Sequence, residues 1–217
     1  MIHVDLQPEP GDFDQNVRQR GQAFLEKCPP PSSDNKRVPG DYWKGKDYWK
    51  YCRKTLRDSY AGICAYCGQY IPATMSYAVD HFLPKSEYPE LAYEWANFRF
   101  ASQKMNEYKG TKKIVDPFEI RNGDFVIDFS SFLVKPRENM IEEDRKAVQD
   151  TIDILKLNDS EQVNERFQAV RQYVDGDLSK RNLERHYPFV AEELERQKLF
   201  DAIRDIMQKS LHYIPKS

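Results

Sequence analysis

Residues 62–110 read GICAYCGQYIPATMSYAVDHFLPKSEYPELAYEWANFRFASQKMNEYKG, and this stretch decides how the rest of the chain is read. Asp80 and His81 sit side by side at the close of a β-rich run that begins at Tyr77. Asn97 follows sixteen residues after His81, and Asn106 nine beyond that, in Asn106-Glu-Tyr-Lys109-Gly110. A Cys64-Ala-Tyr-Cys67-Gly68 knuckle lies upstream.

These residue types suit phosphodiester hydrolysis. The reaction needs a base for the attacking water and positive charge for the phosphorane and the leaving oxygen. A histidine with an ordinary pKa near ~6.5 can serve as base at neutral pH. A hard divalent ion such as Mg²⁺ or Mn²⁺ takes oxygen ligands and keeps waters, so one carboxylate and one amide oxygen suffice to hold it. It then acts as Lewis acid and template at the phosphate. Asp80 and Asn106 supply those oxygens, and His81 supplies the base.

The geometry imposes conditions. Successive strand residues point to opposite faces, so Asp80 and His81 cannot share a site within a regular strand. Pro84 cannot donate to a ladder, which predicts a strand end or bulge here. Asn97 and Asn106 are about half a turn out of phase on an ideal helix. They therefore do different jobs, with Asn97 at or before the helix start and Asn106 on its site-facing side.

Taken alone, each element has a plainer meaning. Asp-His pairs are common at surfaces, Asn97 could be a helix N-cap, and Asn-x-x-Lys-Gly is an ordinary helix C-terminus with Gly110 at the cap. The ordered set resembles the HNH endonucleases, over about a quarter of the chain. The resemblance implies an α+β protein with a ββα-metal core, in which a two-stranded hairpin and one helix surround a single divalent ion. It also implies that Asn97 holds the loop carrying His81, that Lys109 meets phosphate, and that cleavage of DNA leaves 3′-hydroxyl and 5′-phosphate ends. Compact bacterial HNH proteins of this size resemble nuclease subunits of anti-phage defence systems, including the Septu type, which work beside an ATPase. Zinc-bearing members of the family share Cys64-x-x-Cys67 but carry a second cysteine pair where this chain has Ser102 and Met105. A tetrahedral zinc site needs four N or S ligands. No structural zinc is therefore expected, and Met105, Phe98 and Phe100 are expected to pack where the metal would cross-link. Two rival readings are a non-catalytic nucleic-acid-binding or adaptor module with the same fold, and a zinc-knuckle interaction domain.

The rest of the 217 residues frames this core. With 40% apolar and 31% charged residues and a mean hydropathy of −0.80, the chain reads as a polar globular protein. No apolar run reaches the ~18–20 residues of a membrane span, and the N-terminus lacks the layout of a signal peptide. A cytoplasmic protein with its four cysteines reduced is expected. Residues 1–40 read as a polar arm with a helix between Asp12 and Cys28, stopped by a proline-rich spacer. Residues 41–115 hold a basic helix and the core. Between Lys36 and Arg57, eight Lys/Arg face two Asp. On a helix from Lys46, the cations Lys46, Lys50, Arg53 and Arg57 fall within a ~60° arc. That arc is expected to contact the backbone of double-stranded DNA.

Residues 116–139 read as an extended connecting segment with a turn at Asn122-Gly123, and residues 140–217 as a helical domain. Its expected apolar stripes are Ile141, Val148, Ile152 and Leu155, then Val163, Phe167, Val170 and Val174 after an Asn158 cap, then Val190, Leu194, Ile203 and Met207 after Pro188. These helices carry a charge balance of −3, a poor DNA surface and a plausible docking face for the ATPase partner.

Overall fold

The computed structural model describes residues 1–30 and 37–211. It is an α+β protein of two compact units, which the chain crosses between more than once. One comprises residues 5–64 and 71–111, and the other residues 1–4, 65–70 and 112 onward. This division differs from the expected domains: the first 30 residues are not an arm, and residues 65–70 leave the first unit.

The first unit is organised on a two-stranded antiparallel sheet, β1 (Tyr77–His81) and β2 (Phe98–Ser102), in the register Asp80 opposite Arg99 and His81 opposite Phe98. The paired strands are joined by a long loop with two short 3₁₀ turns. Helix α3 (Gln103–Lys109) follows β2 directly and packs on both strands. Ser102 starts it, its hydroxyl accepting the Met105 N–H at 3.2 Å. Gly110 ends it at φ +50°, returning its N–H to Asn106 O at 2.9 Å. Asn97 thus precedes a strand, Phe98–Ser102, rather than the helix start at which it was expected. No bulge interrupts the register; the strand simply ends on His81.

An N-terminal helix covers this sheet. A π-helical turn (Asp14–Arg18) leads into α1 (Gln19–Lys27). Phe13 sets its ring edge-on to Trp95 and Phe98, at 5.4 and 5.9 Å between centroids. Gly21 lies against Tyr93 so closely that a Cβ would fall 2.0 Å from the ring. Only glycine allows that approach. Arg18 bridges Glu9, Asp14 and Glu94. Of the proline-rich spacer, residues 31–36 lie outside the described residues.

The expected basic helix is two pieces, a 3₁₀ turn (Tyr48–Cys52) and a short α2 (Arg53–Ser59). A 3₁₀ turn advances ~120° per residue rather than ~100°, so the four cations do not form one stripe. Cys52 is core, as its neighbours Leu56 and Tyr60 are, and burial pushes its thiol up to about 12.

The second unit holds β3 (Phe125–Asp128) paired antiparallel with β4 (Leu133–Pro136), so the expected extended connector is a hairpin. The segment from Val115 to Ile120 is turn, not strand. Helices α4 (Glu142–Ile154), α5 (Ser160–Asp175), α6 (Lys180–His186), α7 (Pro188–Arg196) and α8 (Ile203–Leu211) complete it. Val148, Ile152 and Leu155 are buried as expected, but Ile141 is 67% exposed because it caps α4 from outside. Helix α5 buries Gln162, Arg166, Ala169 and Val170, a face rotated from the expected stripe. Asn158 is not its cap. It bonds both backbone groups of Val134, at 2.7 and 2.8 Å. Pro188 opens α7 as expected, but the final helix is broken in two between Arg196 and Ile203. Gly68 has φ +64°, the unusual backbone angle expected of the knuckle, and a Cβ there would meet Phe189 at 2.8 Å. No helix among the described residues is long and apolar enough to cross a membrane.

Candidate active site

A groove of about 580 Å³ opens in the first unit along β1 and the start and end of α3. Asp80, His81 and Asn106 all line it, together with Trp49, Lys50, Arg53, Tyr77 and Lys85. Three of the residues singled out for chemistry therefore share one opening.

The alternation problem at Asp80 and His81 is resolved by the strand end. His81 is the last paired residue, and its neighbour Phe82 donates its N–H to Asn97 O at 2.9 Å. The His81 ring stands edge-on to Trp49 and Phe98, 4.7 and 5.2 Å between centroids. Its Nε2 lies 2.9 Å from Ala92 O. A carbonyl can only accept, so Nε2 carries the proton and Nδ1 keeps its lone pair. Burial, with the charges of Lys85 and Lys109, pushes the imidazole down to about 3, against the opposing effect of the Ala92 bond. The ordinary value assumed from sequence does not hold here. Histidine 81 is neutral throughout the neutral range, which is the form a base requires.

Asn97 acts on the loop after His81. Its Nδ2 donates to Leu83 O and Leu91 O, at 3.0 and 3.1 Å, and its Oδ1 accepts the Leu83 N–H at 2.8 Å. One buried amide thus holds both ends of the 83–91 segment. It contributes to position rather than chemistry.

Lys109 is placed differently from the expectation. It is fully buried, its ammonium 3.0 Å from Asp80 Oδ2 and 2.9 Å from His81 O. A phosphate in solvent cannot reach it. It neutralises Asp80 and ties α3 to the end of β1. Asn106, one turn earlier on α3, is half-exposed, and its side-chain amide has no hydrogen bond among the described residues. Asp80 and Asn106 are the oxygen donors that could hold a hard cation, with water completing its shell. No group of three or more His, Cys, Asp and Glu that could hold a metal assembles among the described residues.

The four cations of the expected stripe disperse. Lys50 and Arg53 line the groove, Lys50 paired with Asp47 and Arg53 stacked 4.3 Å over Tyr77. Lys46 lies 5.3 Å over Phe24, and Arg57 donates to Ile71 O at 3.0 Å. Lys46 and Arg57 are thus turned to packing. The cysteines are all thiols. Cys64 is buried and accepts the Ser102 N–H at 3.4 Å, so Ser102 is held by its backbone as well as capping α3.

Lys85 was missed by the sequence reading. It lines the groove with its ammonium 5.2 Å over Trp49. Its place one residue after Pro84 and four after His81 was the available clue. No known protein family matches the chain, and no curated protein does.

Proposed function

We propose that this protein is a metal-dependent endonuclease of the HNH kind, hydrolysing DNA phosphodiesters in the groove beside β1. The observation that carries the reading is the convergence of a tautomer-fixed neutral histidine, a carboxylate and an unbonded amide on one groove. The β1–loop–β2–α3 arrangement, with Asn97 clamping the loop, supports it further.

The two oxygen donors Asp80 and Asn106 suit a hard divalent ion, Mg²⁺ or Mn²⁺, which when bound supplies Lewis-acid stabilisation of phosphate charge. His81 Nδ1 takes the proton from a water as its oxygen bonds to phosphorus. The bond to the 3′ oxygen breaks, and that oxygen leaves with the electron pair and is protonated from solvent. The products are a 5′-phosphate and a 3′-hydroxyl. An imidazole at about 3 is a weak base in the empty groove; the negative phosphate beside it raises its proton affinity. Lys109 pairs with Asp80, and Asn97 keeps the loop that carries Ala92 at its distance from the ring.

Plasmid cleavage with Mg²⁺ or Mn²⁺ tests the reading. Because the His81 ring is packed between Trp49 and Phe98, alanine would also open a cavity, so His81→Gln is the cleaner variant than His81→Ala. Loss of the base is expected to reduce the rate by ~10²–10⁴-fold with DNA affinity retained. Asp80→Asn is expected to lose activity and ion affinity together. Wild-type cleavage by purified His81→Gln would sink the assignment.

A further inference from the structure

Two lysines flank Asp80, and their charges are used differently. Lys109 is buried and committed to Asp80 and His81 O. Lys85 is half-buried and has no hydrogen bond or ion pair among the described residues. Its ammonium stands 5.2 Å over Trp49, the ring that the His81 imidazole meets edge-on. Burial works against that charge, pulling Lys85 below the usual lysine range, with Asp80 opposing the shift. Partly desolvating an ammonium without a partner is unfavourable.

That cost becomes a gain when an anion enters. Lys85 is also held in place beforehand. Trp49 lies under its ammonium and edge-on to His81, fixing the two side chains against one indole. Its loop is anchored on both sides, by Asn97 on Leu83, by Val38 N–H on Ser86 O at 2.7 Å, and by Glu87 N–H on Pro84 O at 2.8 Å. Ser86, the next residue, lines the same groove, but its Oγ is buried out of reach of solvent and has no hydrogen-bond partner among the described residues. An uncommitted cation on an anchored loop next to the base describes an anion site.

We propose that Lys85 is a catalytic residue whose ammonium binds a non-bridging oxygen of the phosphodiester being cleaved. This rests on the nuclease reading above and assigns the phosphate contact that Lys109 cannot make. Lys85 holds the oxygen that gains charge as water attacks phosphorus, so its effect is larger in the transition state than in the bound substrate.

The test compares wild type, Lys85→Met and Lys85→Arg. Methionine keeps an apolar stem over Trp49 without the charge. Single-turnover cleavage of a DNA duplex in Mn²⁺ is measured beside equilibrium binding of the same duplex in Ca²⁺ over a range of salt. Lys85→Met is expected to slow cleavage on the order of 10²-fold, with Lys85→Arg recovering much of the loss. It should also lower the slope of log affinity against log salt by about one, since one phosphate contact is removed. Thermal midpoints should agree across the three proteins. If wild type cleaves and Lys85→Met cleaves within threefold of it, the proposal is overturned and the nuclease reading stands. Equal losses in the Met and Arg variants with lowered thermal midpoints would show a packing role and overturn it as well. If wild type binds DNA without cutting and Lys85→Met still loses one unit of slope, the phosphate site stands and the nuclease reading falls. Wild type that neither cuts nor binds the duplex overturns both.

Discussion

Each unit is built on one small antiparallel sheet with polar groups buried beside it, and the two sheets use those groups in opposite ways. In the second unit the polar side chains close the fold on itself. Glu193, 2% exposed, accepts the Ile127 N–H at 3.0 Å and holds Arg196 and Gln197. Arg166 gives its Nε–H to Phe132 O at 2.8 Å, and Asn158 pairs with both backbone groups of Val134. These side chains substitute for strands that the two-stranded sheet lacks. In the first unit Asn97 and Lys109 do similar work, but their neighbours Asp80, His81, Asn106, Lys85 and Ser86 open onto a groove. Burial alone therefore does not mark a site. Nor does unspent bonding capacity, since Gln162 Oε1 and Arg166 Nη2 in the second unit are also buried without a hydrogen-bond partner among the described residues; what distinguishes the first unit is that its polar groups gather along one groove.

The sharpest way to break that contrast is at Lys109, which lies on α3 beside the groove but acts like the scaffold. Lys109→Met leaves the Asp80 carboxylate, 5% exposed, without its ammonium and His81 O without its donor. Breaking a buried pair from one side costs about 3 kcal/mol. Urea denaturation of the metal-free protein should show a loss of that order. The salt dependence of DNA affinity should stay at the wild-type slope, unlike that of Lys85→Met. A slope reduced by one unit would mean that Lys109 meets phosphate after all.

Glu193 probes the other side of the comparison with a smaller effect. Glu193→Leu strands the Ile127 N–H in an apolar setting, and an unsatisfied buried donor costs about 1–3 kcal/mol. The denaturation midpoint should fall, while the cleavage rate per folded molecule stays unchanged at a temperature where the variant is native. A reduced rate in fully folded Glu193→Leu would show that the second sheet contributes to the groove's chemistry.

The sequence anticipated which residues line the groove better than it anticipated the fold around them. Asp80, His81 and Asn106 could be picked out because the chemistry expected of them demands particular residue types, and spacing along a short unit constrains where they meet. The β2 strand was missed because Phe98, Arg99, Phe100 and Ala101 are all buried, so no alternation marks it. Lys109 looked like a helix-end cation, and only the tertiary meeting of α3 with β1 shows where its charge goes. The basic stripe failed on local geometry, since one 3₁₀ turn shifts the phase of everything after it. The N-terminal helix was legible as a helix, but nothing in Phe13 or Gly21 announces Trp95 and Tyr93 as partners some eighty and seventy residues away.

The smallest effect concerns His81 as a buried group in the metal-free protein. Its imidazole titrates at about 3 in the native state against the ordinary 6.5 of an exposed chain. Between those values the unfolded chain holds a proton that the native one does not. Stability is therefore full above about pH 6.5 and declines as pH falls toward 3. Between pH 7.5 and 5.5 the loss from this one group is about 1.4 kcal/mol. Other titrating groups add their own slopes, so the measurement is a difference. His81→Gln has no proton to take up at this position, and its amide can still donate to Ala92 O. Stabilities of wild type and His81→Gln, from urea curves in EDTA at pH 7.5, 6.5 and 5.5, should converge as the pH falls if wild type is the more stable at 7.5, and separate if it is the less stable. In either case the difference moves against wild type by about 1.4 kcal/mol. A difference constant across that range would show that His81 is protonated and solvated in the native protein, and the neutral, tautomer-fixed base would have to be abandoned.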